Sequence, residues 1–506
     1  MNRQRLLLAL VLVYSAGFRL LVLNRPFEYD AEGSGSLNGV LARSYLRYGW
    51  NQTHGMPILS LDRDRGTPIV FYPDHPPLVP LLIVPFYAAF GVGEWQTRLP
   101  MSLMTLAAIV ALYRLLLRVA TPRLALTAAA VFAATPMVLV FGGFADVVGM
   151  PLIFFVLVAL IAYLRFHDAP GLGTWWLLVG AFALAGICDW PAYVLVPVLV
   201  VHFVVTRPRR DWLWAFAFGL AASAMFAAIY AYVTVVTHFS WTWMVDLFSR
   251  RSAIVGGSAP GWRDWIGAAV ATNRRYHTIP LLILSATWVA VGALRRHVPR
   301  GAATVACLLL SWAALYSLIG AKALYDHEWA WGLLTPGLAV SAALLLDRPA
   351  PAWSVAAVAI FTVWTTFAAL TELFPATKDR PFSPLDAAAA IRLAAPAPND
   401  IALLVGNDTQ AQLWLYGDRP LRSNIWSVED FERRVDDETV DLMFNFDEQP
   451  WRGQAAGIVF PRIWASSSAP LETYLRERYQ TVPLPAALAN QFEVFDLRRS
   501  ILSETR

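Results

Sequence analysis

The sequence predicts an α-helical polytopic membrane protein of about eleven transmembrane helices, followed by a small C-terminal α/β domain on the outer face. Three observations predict it. The 506 residues are 57% hydrophobic and only 15% charged, against roughly 45–50% and about 25% in a soluble domain. Apolar runs near the ~20 residues needed to cross a bilayer recur along residues 1–375, and mean hydropathy is +0.49. Beyond residue 376 the pattern changes to mixed charge and short alternating segments. A soluble enzyme and a disordered chain are excluded. A net charge of +4 gives no footing for nucleic acid. Cys188 and Cys307, the only cysteines, lie in apolar runs, which excludes a disulfide scaffold and a cysteine-ligated metal.

The expected spans are 6–23, 99–118, 124–142, 147–165, 174–188, 191–206, 212–237, 279–294, 302–320, 330–346 and 352–373. The first reads as a signal anchor, because its run outlasts a signal-peptide core and no small-residue cleavage site follows. A further run, 77–92, holds Pro80 and Pro85 and is about 16 residues long. Arginine distribution decides its role, since short cytoplasmic loops collect basic residues. If 77–92 does not span, the inner loops hold Arg3, Arg5, Arg114, Arg118, Arg123, Arg165, Arg207, Arg209, Arg210, Arg295, Arg296, Arg300 and Arg348. If it spans, the bias reverses. The run is therefore expected to lie at the outer interface or to be partly re-entrant. The N-terminus is then cytoplasmic and the tail periplasmic or extracellular, in a cell membrane. Nearly all basic residues are arginine, as in GC-rich bacteria.

Three long segments face outward: 24–98, 238–278 and 376–506. In the tail, 401–405, 457–460 and 492–497 read as strands, and 427–435 and 470–478 as helices. Ser427 with Asp430 three residues on forms an approximate capping box. Residues 375–398 read as a Pro/Ala-rich connector.

Ionisable residues gather where spans meet the outside. Asp30 and Glu32 follow the first span and can act as a general base, bind a hard cation, or simply solvate a helix end. Asp74 and His75 precede Pro76-Pro77, whose fixed φ and missing amide donors force an extended entry into the next helix. Asp74 is placed to orient the His75 ring. Asp146 and Asp189 sit in short connections, at a depth where charge is costly and commonly paired or functional. Arg250, Arg251, Arg274 and Arg275 can clamp a phosphate through forked hydrogen bonds or bind anionic lipid. Lys322 and His327 suit a second phosphate or sugar contact. No nucleotide-binding loop or metalloprotease motif appears.

The carboxylates after the first span, His75-Pro76-Pro77-Leu78, Glu94-Trp95-Gln96-Thr97-Arg98-Leu99-Pro100 and Asp146 together resemble the GT-C membrane glycosyltransferases. The branch they look like is the protein O-mannosyltransferase and lipid A aminoarabinose transferase group. The resemblance covers roughly residues 1–375 and implies a GT-C-like core there, with residues 376–506 as an outer-face α/β domain. It implies inverting transfer of a sugar from a polyprenyl-phosphate donor to a hydroxyl of a protein, lipid or glycan. Asp30 matches the superfamily's catalytic base and Asp146 its second-loop acid. Glu32 stands one residue beyond the usual adjacent place and is a helper. His75 matches the first residue of a string that some relatives begin with lysine. The superfamily holds metal-requiring and metal-free members, so no divalent cation is fixed. A rival reading is a flippase or transporter, which usually shows internal repeats and midplane sites on broken helices. Another is an oligosaccharide ligase.

Overall fold

A computed structural model describes residues 3–27, 33–59, 69–252, 261–295, 300–347, 351–373, 382–406, 411–437, 439–441, 448–450 and 455–501. The chain forms two compact units. One comprises Met1–Asn24, Pro73–Leu82 and Arg98–Ala376; the other comprises Arg25–Tyr72, Ile83–Thr97 and Thr377–Arg506.

The first unit is helical. Among the described residues, seven helices are long and apolar enough to cross a membrane: Arg3–Val22, Glu94–Leu117, Met150–Asp168, Arg209–Thr237, Ala302–Ile319, Glu328–Leu346 and Ala352–Thr371. The four other expected runs appear as the shorter apolar helices Pro122–Ala134, Leu172–Gly186, Trp190–Thr206 and Ile279–Gly292. Leu78–Phe90 has 13 residues, about 20 Å of helix against a hydrocarbon layer of ~30 Å. Burial separates inner from outer helices. Met150–Asp168 and Glu328–Leu346 are 72% buried, whereas Arg3–Val22, Arg209–Thr237 and Ala352–Thr371 are 17% buried. The outer helices expose Leu20, Leu213, Leu220, Trp353 and Val363, apolar faces suited to a lipid surround.

The expected span 124–142 is broken. Pro136 has no amide hydrogen, and it pushes Thr135 into extended backbone at φ −63°, ψ 132°. Helix Pro122–Ala134 therefore stops, and Pro136–Phe141 starts anew. Arg19 crosses at this point. It is buried and donates from Nη2 to the Val138 carbonyl at 2.6 Å and from Nη1 to the Ser15 carbonyl at 3.2 Å. A Cβ on Gly142 would overlap the Arg19 guanidinium and the Val138 carbonyl, so this close approach requires glycine. Buried Arg98 likewise satisfies carbonyls that the first helix leaves open at its C-terminus, donating from Nη1 to Val22 O at 3.3 Å and Leu23 O at 3.2 Å.

Polar contacts sort to two opposite ends of this unit. Arg118 with Asp168, Arg123 with Asp347 and Arg207 with Asp211 tie one end. The segments carrying Asp74, Asp189, Arg251 and His327 meet at the other.

In the second unit, β1 (Ile401–Val405), β2 (Leu421–Ile425), β5 (Ala455–Pro461), β6 (Tyr479–Thr481) and β7 (Phe492–Ser500) form one sheet in the order β2-β1-β5-β7-β6, while β3 (Thr439–Asp441) and β4 (Glu448–Pro450) pair separately. β1 runs parallel to β2 and β5; β7 is antiparallel to β5 and β6. Helices Val428–Val435 and Ala469–Arg478 form as the sequence predicts, and both hydrogen bonds of the Ser427/Asp430 capping box are present. The stretch read as a connector contains a helix, Pro384–Ala394, with Ala387, Ala388, Ala390, Ile391 and Ala394 buried. Alanine is the strongest helix former, and proline in the first turn loses nothing. Leu37, Val40 and Leu41 of helix Gly33–Tyr48 share a core with Ile391, Leu404, Trp414 and Phe492. Arg43 fastens this packing by donating to the Leu415 and Trp414 carbonyls at 3.0 and 3.1 Å.

Candidate active site

The site begins where the chain cannot be helical. Pro73, Pro76 and Pro77 supply no amide donors, so residues 73–77 form no helical ladder, and in place of the expected extended entry the chain bends at Asp74 and His75 and turns at Pro77 into helix Leu78–Phe90. A connection 114 residues beyond His75 grips this string. Its Asp189 is fully buried and lies with Oδ1 2.8 Å from His75 Nδ1. The same Oδ1 accepts the Trp190 amide at 2.9 Å, capping the 3-10 helix Trp190–Val194 ahead of Pro191. Trp190 in turn donates from Nε1 to the Asp74 carbonyl at 2.8 Å, and Leu78 donates its amide to the Ile187 carbonyl at 3.4 Å. Asp189 Oδ2 is buried without a hydrogen-bond partner among the described residues.

Arg251 enters from helix Trp243–Ser252. Its Nη2 lies 3.5 Å from Asp74 Oδ2, and its Nη1 lies 3.2 Å from His327 Nε2. A guanidinium only donates, so His327 Nε2 accepts and its ring is neutral. Burial pushes His327 down to about 4, and the nearby Arg251 and His75 act in the same direction. The ring stacks on Trp329 at 4.7 Å.

Asp146 is buried, and its Oδ1 accepts the Val148 amide at 2.8 Å, a side-chain turn that shapes the connection before helix Met150–Asp168.

The structure thus brings Asp74, His75, Asp189, Arg251 and His327 together from four separate segments, and holds Asp146 in a buried turn of its own. The orienting partner of the His75 ring among the described contacts is Asp189; Asp74 pairs with Arg251 instead. Lys322 pairs with Asp326 at 2.7 Å on its own helix. Arg275 lies 5.3 Å over the Tyr276 ring, and Arg274 is exposed beside it. Asp30, Glu32 and the Arg250 side chain lie outside the described residues. Among the described residues, no three His, Cys, Asp or Glu side chains come together to hold a metal ion.

Sequence reasoning missed a second layer. Tyr276 donates its hydroxyl to Glu328 Oε1 at 3.0 Å. His277 is fully buried between Asn273 Oδ1 at 2.8 Å and Thr335 Oγ1 at 2.9 Å. Burial pushes it down to about 3, so it too is neutral. The signal was present in a histidine directly following Arg274-Arg275-Tyr276 and preceding a span.

Residues 74–241 match the model of the dolichyl-phosphate-mannose-protein mannosyltransferase family. The structure is similar to that of ArnT from Cupriavidus metallidurans bound to undecaprenyl phosphate, with 17% identity and a TM-score of 0.62 over 96% of this chain and 97% of that one. It is also similar to the Archaeoglobus fulgidus oligosaccharyltransferase tethered to an acceptor peptide, with 12% identity and a TM-score of 0.54 over 94% and 72% of the two chains. The same archaeal enzyme with Zn and sulfate gives 13% identity and 0.52 over 93% and 71%. No curated protein is similar in sequence. At these identities the structural likeness is one of fold. That fold is the GT-C membrane glycosyltransferase fold, and residues 74–241 carry the mannosyltransferase family's sequence pattern within it.

Proposed function

We propose that the protein transfers a sugar from a polyprenyl-phosphate donor to an acceptor hydroxyl on the outer face of the membrane, with inversion at the anomeric carbon. The observation that carries this reading is the meeting of Asp74, His75, Asp189, Arg251 and His327 at one end of the helical unit. Cations and buried acids from distant connections gain nothing for folding that apolar residues would not supply at less cost. A phosphate leaving group beside an acidic base uses both. The similarity to a transferase bound to undecaprenyl phosphate supports the donor class.

In this reading Asp30 takes the acceptor proton as its oxygen bonds to the anomeric carbon. The carbon–oxygen bond to the phosphate breaks, and its electron pair leaves with polyprenyl phosphate. His75 and Arg251 stabilise the charge that develops there. Glu32 and Asp146 assist at the acceptor side, and residues 376–506 form the outer-face domain. Asp30→Asn is expected to abolish turnover while leaving undecaprenyl phosphate binding within about threefold of wild type, the pattern of a group acting only in the transition state. Near-wild-type turnover by that variant contradicts the assignment.

A further inference from the structure

We propose that Asp189 is a positioning residue that, with Trp190, holds His75 as a phosphate contact; this rests on the donor reading above. Three bonds join two short segments: Asp189 Oδ1 to His75 Nδ1 at 2.8 Å, Trp190 Nε1 to the Asp74 carbonyl at 2.8 Å, and the Leu78 amide to the Ile187 carbonyl at 3.4 Å. Prolines on both sides of Asp74-His75 leave that string without a helical ladder of its own. The 187–190 connection supplies the missing constraint.

The identity of residue 189 points beyond capping. Capping the 3-10 helix needs only a side-chain acceptor, which serine or asparagine provides without charge. An aspartate at zero exposure, with Oδ2 unpartnered, carries a cost that a cap alone does not explain. A cationic imidazole on Oδ1 explains it. A neutral ring donating from Nδ1 offers only a lone pair at Nε2, which repels phosphate oxygen. The imidazolium carries N–H at both nitrogens, and the buried carboxylate is its counter-charge. Fixing Nδ1 also fixes the direction of Nε2, because the two ring nitrogens diverge. Arg251 reaches Asp74, the residue beside His75, at 3.5 Å and His327 at 3.2 Å, so the guanidinium and the His75 string belong to one region.

A double-mutant cycle on the full-length protein in lipid tests this, with undecaprenyl phosphate as the probe and its Kd as the readout. Asp189→Ser keeps a capping acceptor and is too short to reach His75. It is expected to raise Kd by about 10-fold or more, the scale of a charge-assisted hydrogen bond. In a His75→Lys background the same substitution is expected to change Kd by less than about threefold, because a flexible ammonium needs no ring orientation. In a His75→Ala background it is expected to do nothing further. Asp189→Asn, which keeps the shape and the cap, gives the same pattern and covers the case in which the serine variant fails to fold. A loss that persists at full size in both His75 backgrounds marks Asp189 as merely structural and overturns the proposal. A wild-type protein that binds no undecaprenyl phosphate overturns the donor reading, and this proposal with it.

Discussion

Arg251 stands between a carboxylate and a neutral imidazole, and both contacts use the guanidinium fork. Lysine keeps the charge but cannot span Asp74 and His327 at once. Arg251→Lys is therefore expected to lower kcat/KM by about 10-fold or more, read in a donor-release assay against wild type. His327 makes a pH prediction. The folded protein holds it near 4, against about 6.5 in an unfolded chain. As pH falls through that window the unfolded chain binds a proton that the folded one refuses, so stability declines between about 6.5 and 4 and levels off below. His327→Gln is expected to make that part of a melting-temperature profile shallower by one proton's share, with His277 still contributing its own; an unchanged slope contradicts the neutral assignment. At this scale the sequence showed which residues were candidates but not which partners they take. Asp74 and His75 stood out because prolines isolate them. Their partners lie 114 and 177 positions away, and no local pattern encodes such a distance. Arg251 could not be told from Arg274 or Arg275, because helix phase and packing decide which of them turns inward.

Elements were legible where one local rule acted alone. The capping box at Ser427 depends on four adjacent residues and forms as read. Removing its hydroxyl in Ser427→Ala is expected to cost about 1 kcal/mol, seen as a lower unfolding midpoint of the tail. Elements were misread where two rules competed. Residues 375–398 carry the prolines and alanines of a linker, yet 384–394 form a helix whose small alanine side chains share a core with the sheet. The run 124–142 looks continuous by hydropathy, but Pro136 breaks it, and in the second helix the Val138 carbonyl accepts both the Gly142 amide and Arg19. Strand β2 (Leu421–Ile425) was invisible because it carries Arg422, Ser423 and Asn424, of which Arg422 and Ser423 are buried by the fold rather than by their own polarity.

For the whole molecule, composition alone fixed the membrane class, and the parity of the loops predicted which connections meet. Segments around 75, 189, 251 and 327 fall on one side only if helix Leu78–Phe90 does not cross, and they do meet. What sequence order does not show is that Leu37, Val40 and Leu41 pack with Ile391 and Trp414, since ordinary apolar residues carry no address. The central claim is that this assembly moves a sugar off a lipid phosphate. The most direct measurement gives purified protein in liposomes a set of radiolabelled polyprenyl-phosphate sugars, with a membrane extract as acceptor source, and follows release of polyprenyl phosphate. The account predicts release with at least one donor, appearance of the label in an acceptor, and loss of both in Asp30→Asn. Movement of intact donor across the bilayer without release, equal in wild type and Asp30→Asn, would contradict it and make the protein a transporter.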